Sequence, residues 1–330
     1  MRKIMVVKQG GIGDVIVATP ILAELKRIYP DAYITLMIYY NAIDVVQGLP
    51  FVDEVFPYDK KKDGYLKLFR KLRGQDLAIF LDLSYRPAMM AALARVPVRV
   101  GLEHKRGFWL NRPIKWREEM DHIYEPQVFA DILSETLGLQ FSPAALQKLY
   151  VAEAREEEIK DLQDKLLQAG APAFGNYVVC SPITAYFLKN WPLEKWNELF
   201  VRLYREQGLK TVIFGSRKPD FAWDKEAVAD LHEQLNLRQV GKLIKEARLM
   251  VNGSSMPEHM AAAMGTKCVL LYGYSEPERW APRRNCLRVQ TELPCAPCDG
   301  YHGSNCTDPR CMKEMTVERV YQACRQMLEQ

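Results

Sequence analysis

The stretch "IMVVKQGGIGDVIVATPILAEL", residues 4–25, joins an apolar run to a helical pattern through a glycine-rich turn. The first part, "IMVVK", has the β-rich apolar composition of a buried strand. Further along, Ile21, Leu22 and Leu25 recur at helical spacing. A strand, a turn and a helix in this order predict the first unit of a parallel α/β sheet.

The glycine turn fits two nucleotide-binding signatures poorly. A dinucleotide fingerprint starting at Gly11 needs glycine where Ile16 stands, and a Walker A loop needs a Gly-Lys-Ser/Thr that does not follow. Asp14 would also repel a phosphate, since two unit charges ~4 Å apart repel by ~1 kcal/mol in water and ~4 kcal/mol near a protein surface. The turn is therefore expected to present a carboxylate where open α/β sheets bind their ligands.

A second interpretation of Asp14 is purely structural. Its position just before the helical pattern also suits an N-cap, which would make it a helix-starting residue and nothing more. Pro20 is expected to kink or restart the same helix. Both interpretations of Asp14 stay open at this point.

Strand-like runs and helical stretches alternate along the whole chain. The runs are residues 4–8, 33–39, 77–83 and 98–101 in the first half and residues 177–181, 211–215, 249–253 and 268–273 in the second. A charged helical segment followed by Ala, Pro and Gly separates the halves near residues 150 to 175, which predicts domains at 1–165 and 166–330. Two doubly wound Rossmann-like domains facing across a cleft are the expected architecture.

Composition restricts the class of protein. Lys and Arg number 45 against 41 Asp and Glu, a formal charge of +4 without the clustering expected of a nucleic-acid binder. No apolar run approaches the ~20 residues that span a bilayer, and the N-terminal residues lack a signal-peptide pattern. Eight cysteines without an export signal favour reduced thiols or a metal site over disulfides. We expect a cytoplasmic protein.

Several motifs, in order and spacing, make the chain similar to glycosyltransferase family 9, the heptosyltransferases of the lipopolysaccharide inner core. They are "KQGGIGDVIVATPIL" (8–22), residues 75–102, "LKNWPLEKWNEL" (188–199), residues 256–282 and the cysteine-rich tail. The resemblance implies a GT-B fold in which the first domain binds the acceptor and the second the nucleotide sugar. It also implies inverting transfer of a heptose from ADP-heptose to a sugar hydroxyl, without a cofactor for catalysis.

The resemblance assigns roles to individual residues. Asp14 matches the proposed general base, and Lys189 in "KNWP" matches a lysine on the donor phosphates. Ser181 and Thr184, after a predicted strand, are expected to add hydroxyl contacts to those phosphates. Asp220 falls roughly where the family carries an acidic residue on the nucleoside, although a plain loop aspartate is an equal alternative there.

The segment "NGSSMPEHMAAAMG", residues 252–265, reads as a strand end turning into a helix N-terminus, which attracts a diphosphate. Ser254, Ser255 and His259 are the expected donor contacts. Here the sequence departs from the family pattern, because Ser254 stands in place of an aspartate and Met256 in place of a glycine. The departure puts the identity of the donor, and the rate, in question.

Four cysteines in the tail "CAPCDGYHGSNCTDPRC", residues 295–311, form a Cys-x2-Cys and a Cys-x4-Cys pair. Such a compact group is typical of tetrahedral zinc or iron binding. The candidate ligands are Cys295, Cys298, Cys306 and Cys311, with His302 as a substitute. The site would be structural, and free thiols or disulfides are the alternatives.

Basic side chains supply an acceptor side in the first domain: Lys60, Lys61, Lys62, Arg86, Arg99, Lys105, Arg106 and Arg112. Arg86 and Lys105 lie near predicted strand ends and, with Gly11 and Gly13, are the expected contacts to a phosphorylated or lipid-linked sugar. The same charges would favour peripheral contact with the anionic inner membrane.

Other functions compete with the transferase. Ser254 suggests a non-catalytic protein that binds a sugar nucleotide, or a transferase for a different nucleotide sugar or a protein acceptor. A nicotinamide-dependent oxidoreductase is disfavoured by the failed glycine fingerprint. The presence of both Asp14 and Lys189 favours the enzyme.

Overall fold

The computed structural model describes residues 2–298 and 306–330, and the chain divides into two compact units, Met1–Ala152 and Glu153–Gln330. Within the described residues each unit contains a parallel sheet of six strands. This confirms the α/β class with two Rossmann-like units. None of the helices in those two ranges is both long and apolar enough to cross a membrane.

The sheet of the first unit has the doubly wound order β3-β2-β1-β4-β5-β6. Its strands are β1 Lys3–Val7, β2 Tyr33–Ile38, β3 Glu54–Pro57, β4 Leu77–Phe80, β5 Val98–Leu102 and β6 Arg112–Ile114. Its helices are α1 Ile12–Ile28, α2 Ile43–Val46, α3 Tyr65–Leu72, α4 Tyr85–Leu93, α5 Glu125–Leu137 and α6 Pro143–Leu146. The central strands β1 and β4 are buried along almost their whole length, which is why they read as continuous apolar runs.

The second unit repeats the topology, with the order β12-β11-β10-β7-β8-β9. Its strands are β7 Tyr177–Cys180, β8 Lys210–Ile213, β9 Val228–Asp230, β10 Leu249–Gly253, β11 Cys268–Tyr272 and β12 Cys286–Gln290. Its helices are α7 Glu156–Gln168, α8 Leu193–Gln207, α9 Leu237–Lys245, α10 Met256–Met264, α11 Pro277–Trp280, α12 Arg310–Lys313 and α13 Val317–Glu329. Trp191 and Trp196 are each 1% exposed and pack edge to face in its core.

Four strands were missed by the sequence analysis, namely β3, β6, β9 and β12. These are the four edges of the two sheets. Each has only three to five residues, and all four include residues that are partly or fully exposed. An edge strand packs against fewer neighbours, so it needs neither the length nor the continuous apolar character by which buried strands are recognised.

The unit boundary also differs from the predicted one. The expected division at 165/166 falls inside α7, whereas the structure divides the chain between Ala152 and Glu153. Helix α7 packs on α9 of the second unit, where the Gln239 amide donates to Asp161 at 2.6 Å. The charged sequence of α7 therefore belongs to the second unit and is not a linker.

Two details of α1 correct the expectations from sequence. The helix begins at Ile12 with Gly11 as N-cap, so Asp14 lies in its first turn and is not the N-cap. The helix also continues through Pro20 to Ile28 and does not restart there. Pro20 cannot donate to the Ile16 carbonyl, but the Thr19 hydroxyl donates to that oxygen at 2.6 Å and satisfies it.

Candidate functional site

The order of the strands changes direction between β1 and β4 in the first unit, and such switch points are where open α/β sheets bind ligands. Asp14 lies beside this point. Its Oδ2 accepts a hydrogen bond from the Gly11 N–H at 2.8 Å, while its side chain stays 34% exposed. A Cβ added at Gly10 would lie 2.9 Å from that same oxygen. The glycines therefore make room for the carboxylate. Asp14 can both bond to the helix start and act on a ligand, because the bond from the Gly11 N–H occupies only one of its two oxygens.

Lys8 forms an ion pair with the Asp14 carboxylate. Its side chain is 6% exposed, and its ammonium lies 3.6 Å from Asp14 Oδ1 and donates to the Leu81 carbonyl at 3.1 Å. The ammonium also stands 5.0 Å from the centre of the Phe129 ring. A buried cation with a carbonyl, a carboxylate and a ring around it is well compensated, so Lys8 fixes a positive charge beside Asp14.

An aromatic and basic cavity of about 350 Å³ opens at the same edge of the sheet. Its lining comprises Gln9, Tyr39, Tyr58, Lys60, Tyr65, Ser84, Tyr85, Arg86, Pro87 and Met89. A neighbouring cavity of about 370 Å³ shares Tyr39 and Lys60 and is lined by further residues of 40–41, 59 and 61–62. Sugar rings pack their apolar faces on aromatic side chains, and the cations suit an anionic substituent.

Arg86, predicted as an acceptor contact, lines this cavity. Its guanidinium lies 4.2 Å from the centre of the Tyr65 ring and donates to the Tyr58 hydroxyl at 3.2 Å and to the Lys60 carbonyl at 3.0 Å. Hydrogen bonding to Tyr58 raises the pKa of Arg86. The tyrosines were not singled out from the sequence, because two lie in loops and two begin helices α3 and α4, and they share no motif.

Four of the basic residues assigned to the acceptor side do not line either cavity, namely Arg99, Lys105, Arg106 and Arg112. Arg106 is fully buried and donates to the carbonyls of Leu102, Asp82 and Ser84, so it joins the loop after β4 to the end of β5. Arg99 donates to backbone carbonyls as well, and burial lowers its pKa. Lys105 is exposed in a left-handed conformation at φ 56° and is not among the residues that line either cavity.

In the second unit the corresponding switch point lies between β7 and β10. Ser181 follows β7 and is 8% exposed, and its N–H donates to Asn252 Oδ1 at 2.7 Å. The Asn252 amide nitrogen in turn donates to the Ser255 hydroxyl at 3.0 Å. Two of the predicted donor-site serines are thus joined through a buried asparagine that sequence reasoning passed over.

Lys189 ends a short 3₁₀ turn, Phe187–Lys189, against the carboxyl end of β10. Its carbonyl would lie 3.1 Å from a Cβ added at Gly253, so the two backbones touch. Its ammonium stands 5.9 Å from the centre of the Tyr274 ring. Thr184 belongs to the same loop, but its hydroxyl donates to the Tyr186 carbonyl at 2.9 Å and shapes the turn.

Helix α10 starts at this edge with Ser255 as N-cap, and the Ser255 side chain makes no capping bond to the helix. Ser254 and His259 are 4% and 5% exposed. Both contact Glu258, which accepts from the Ser254 hydroxyl at 3.1 Å and lies 3.5 Å from His259 Nε2. Glu258 was not among the predicted site residues, although it is a fully buried carboxyl at the predicted diphosphate site.

Asp220, predicted near the nucleoside, is exposed in the segment that follows β8. The carboxylate with defined contacts at that edge is Asp230, at the end of β9, which lies 3.0 Å from Lys218 Nζ and 2.7 Å from His232 Nδ1. Burial opposes ionisation of Asp230, but hydrogen bonds from His232 and Lys218 bring its pKa below the usual value. The role of Asp220 stays a prediction.

The profile of Glycosyltransferase family 9 (heptosyltransferase) matches residues 65–306 of this sequence. The chain belongs to glycosyltransferase family 9. It is accordingly a transferase enzyme, and the match reaches from the cavity lining in the first unit to the cysteine tail of the second.

Individual relatives agree with this membership. The family 9 chain is 24% identical over 295 residues to lipopolysaccharide heptosyltransferase 3 of Escherichia coli, covering 83% of this chain and 84% of that protein. It aligns with the structure of E. coli ADP-heptose lps heptosyltransferase II at a TM-score of 0.78 and 21% identity, covering 99% of this chain and 98% of the other. The iron-containing dodecameric glycosyltransferase TibC from enterotoxigenic E. coli H10407 aligns at a TM-score of 0.63 and 16% identity, covering 99% and 76%. These similarities establish the GT-B fold.

None of the eight cysteines, all of which lie in the described part of the chain, forms a disulfide. Among residues 2–298 and 306–330, no group of three or more His, Cys, Asp or Glu side chains is arranged to hold a metal ion. Burial raises the pKa of the Cys311 thiol, and the thiols of Cys298, Cys295 and Cys306 raise it further. Four thiols are chemically suited to a thiophilic metal. His302, the substitute ligand, lies outside the described residues.

Proposed function

We propose that this protein transfers a heptose from ADP-heptose to a sugar hydroxyl of a lipopolysaccharide core, with inversion at the anomeric carbon. The similarity to lipopolysaccharide heptosyltransferases across both units supports the substrate class. The observation that carries the proposal is chemical. A partly exposed carboxylate is held at the switch point of the first unit, and a cation and a helix N-terminus occupy the switch point of the second.

Asp14 would act as the general base. Its Oδ2 is engaged by the Gly11 N–H, which leaves Oδ1 to accept the proton of the attacking acceptor hydroxyl. The buried ammonium of Lys8 near Oδ1 fixes the direction of the carboxylate. A positioned base of this kind contributes roughly 10²- to 10⁴-fold to the rate.

Departure of the nucleoside diphosphate needs positive charge near its oxygens. Lys189 supplies a full charge and α10 supplies the positive end of its dipole, without a side-chain cap from Ser255 to compete with a ligand. The hydroxyls of Ser181 and Ser255 are further candidate donors at this edge, and Thr184 would contribute by exchanging its bond to the Tyr186 carbonyl for one to a phosphate oxygen. The transfer as proposed uses side chains and backbone alone and requires no cofactor.

The acceptor sugar would occupy the tyrosine-rich cavity near Asp14. Arg86 and Lys60 suit a phosphate or carboxylate substituent, while the rings of Tyr39 and Tyr85 offer stacking surfaces. Gly11 and Gly13 would allow close approach of the sugar to the base. A lipid-linked acceptor would bring the exposed Lys60–Lys62 run to an anionic membrane surface, whose attraction is about 1 kcal/mol per cation.

We further propose a structural zinc or iron at Cys295, Cys298, Cys306 and Cys311. The cation would offset part of the charge of the four thiolates and would fasten the tail to the end of β11, where Cys311 packs on Gly273. Elemental analysis of purified protein should find about one metal per chain. The assignment would be contradicted by the absence of zinc and iron from the purified wild type. It would also be contradicted by an unchanged metal content in the double variant Cys295→Ser, Cys298→Ser.

The function is tested by binding followed by turnover. Isothermal titration with ADP-heptose, UDP-sugars and GDP-sugars should show binding of the ADP-sugar, and mixing with heptose-deficient lipopolysaccharide should release ADP. Arg86→Met should raise the KM for the acceptor while the Kd for ADP stays unchanged. Preferential binding of a UDP- or GDP-sugar would show that the donor is not ADP-heptose. Binding without transfer to any core acceptor would contradict the proposed acceptor.

A further inference from the structure

Glu258 is a buried acidic residue at the donor site that the proposed chemistry does not use. It occupies the third position of α10 and is 1% exposed. The spacing from Ser255 matches a capping box, in which the carboxylate would turn back to the helix N-terminus. Instead the carboxyl points inward, where it accepts from the Tyr272 hydroxyl at 2.5 Å and from the Ser254 hydroxyl at 3.1 Å.

The groups around Glu258 come from several elements. Tyr272 and Cys268 face it from β11, and the Lys189 charge acts on it from the 3₁₀ turn. His259 approaches from its own helix, at 3.5 Å. The Cys286 thiol on β12 raises the pKa of Tyr272 and so affects Glu258 only through the Tyr272 hydroxyl.

We propose that Glu258 is a positioning residue for the donor diphosphate: it holds Ser254 inward, leaves the start of α10 without a side-chain capping bond, and is uncharged when the diphosphate binds. The inference rests on the proposed function, since it concerns the same donor site. An ionised carboxylate behind the helix N-terminus would oppose a diphosphate anion, whereas a neutral carboxyl keeps the hydrogen bonds and removes the repulsion.

The electrostatics of the site support this state. Burial raises the pKa of Glu258 to about 8, against the opposing effects of Tyr272, Lys189 and Ser254. If only the neutral form binds, affinity for ADP should fall about tenfold between pH 7 and pH 9, because about nine-tenths of the carboxyls are ionised at pH 9. Binding at pH 8 should then take up about half a proton per ADP.

Isothermal titration of the full chain with ADP measures both quantities. Titrations at pH 7, 8 and 9, in HEPES and in Tris, give the affinity and the number of protons taken up. Glu258→Gln keeps a neutral group of the same shape, so it should bind ADP at pH 7 within about threefold of wild type. It should show no proton uptake at pH 8 and lose the alkaline fall.

Tyr272→Phe gives a second variant that preserves the packed ring. Removing the hydroxyl takes away a hydrogen bond that favours the ionised carboxyl, so the alkaline fall should move to higher pH. A residue with only a structural role would change the melting temperature in Glu258→Gln and leave the proton uptake the same as in wild type. Equal pH profiles in wild type and Glu258→Gln overturn this inference alone. Absence of ADP binding by wild type at pH 7 overturns the proposed function and this inference together.

Discussion

Replacement of Asp14 separates its two roles, because asparagine and alanine differ in what they retain. Asn keeps an oxygen that can accept from the Gly11 N–H, whereas Ala loses the acceptor as well as the charge. Both remove the charge beside Lys8, whose ammonium lies 3.6 Å away. A base requires the ionisable carboxylate, so the two variants should be equally inactive and unequally stable.

The magnitudes follow from the contacts. Loss of the negative charge in the first turn of α1 costs about 0.3–1 kcal/mol. Loss of the ion pair between Lys8, which is 6% exposed, and Asp14, which is 34% exposed, costs about as much. Asp14→Asn should therefore lose about 1 kcal/mol of unfolding free energy. Asp14→Ala leaves the Gly11 N–H without its partner and should lose about 1 kcal/mol more. In a unit of this size each 1 kcal/mol lowers the melting temperature by about 2–4 °C.

The kinetic effect should be far larger. At saturating acceptor, kcat should fall roughly 10²- to 10⁴-fold in both variants, while the Kd for ADP stays within about twofold because the proposed donor contacts lie in the second unit. A continuous assay of ADP release measures kcat, and differential scanning fluorimetry measures stability. A kcat for Asp14→Asn within about threefold of wild type would falsify the base assignment and leave Asp14 as a capping residue.

Three further predictions concern the same sites. Gly10→Ala adds a Cβ 2.9 Å from Asp14 Oδ2 and should reduce kcat more than tenfold in the ADP-release assay. Gly64→Ala is the control that should retain the wild-type kcat, because a Cβ there meets nothing within 4 Å. Equal rates in the two variants would contradict a geometric role for Gly10. Lys189→Met should weaken ADP binding about tenfold by isothermal titration, and unchanged affinity would remove it from the donor site. Since the pKa of Glu258 is raised to about 8, the folded state keeps a proton that the unfolded state loses, so stability should fall as pH rises from about 5 to about 8. Urea unfolding should show this fall in wild type but not in Glu258→Gln, and parallel profiles would refute it.

Much of the fold could be predicted because its central strands are buried on both faces. Residues 4–7 of β1 are fully buried, and so are the four residues of β7. Burial on both faces demands an uninterrupted apolar run, and such a run is visible in sequence. The edge strands are not subject to that demand, which is why β3, β6, β9 and β12 emerged only from the pairing of the sheets.

The turns that follow β1 and β10 were also within reach of the sequence, although the N-cap of α1 was not. The glycines around Asp14 and the turn before α10 follow local rules, and the structure has both at the carboxyl ends of strands. The predicted roles of these residues in catalysis and donor binding rest on chemistry that the experiments above address.

The sequence by itself determined the α/β class, the two successive sheets and the loops that end their strands, because strand and helix periodicity are local properties of the chain. Only the tertiary structure decided which charged side chains are exposed. Arg86 and Arg106 both follow a predicted strand by a few residues. Arg106 is nevertheless fully buried against backbone carbonyls, while Arg86 lines the cavity. Glu258 carries an ordinary capping pattern, yet Tyr272, 14 residues away, draws its carboxyl into the core. The burial of a charged side chain and its partners depend on segments that the sheet topology brings together. Because these segments are far apart along the chain, the sequence does not show that they meet.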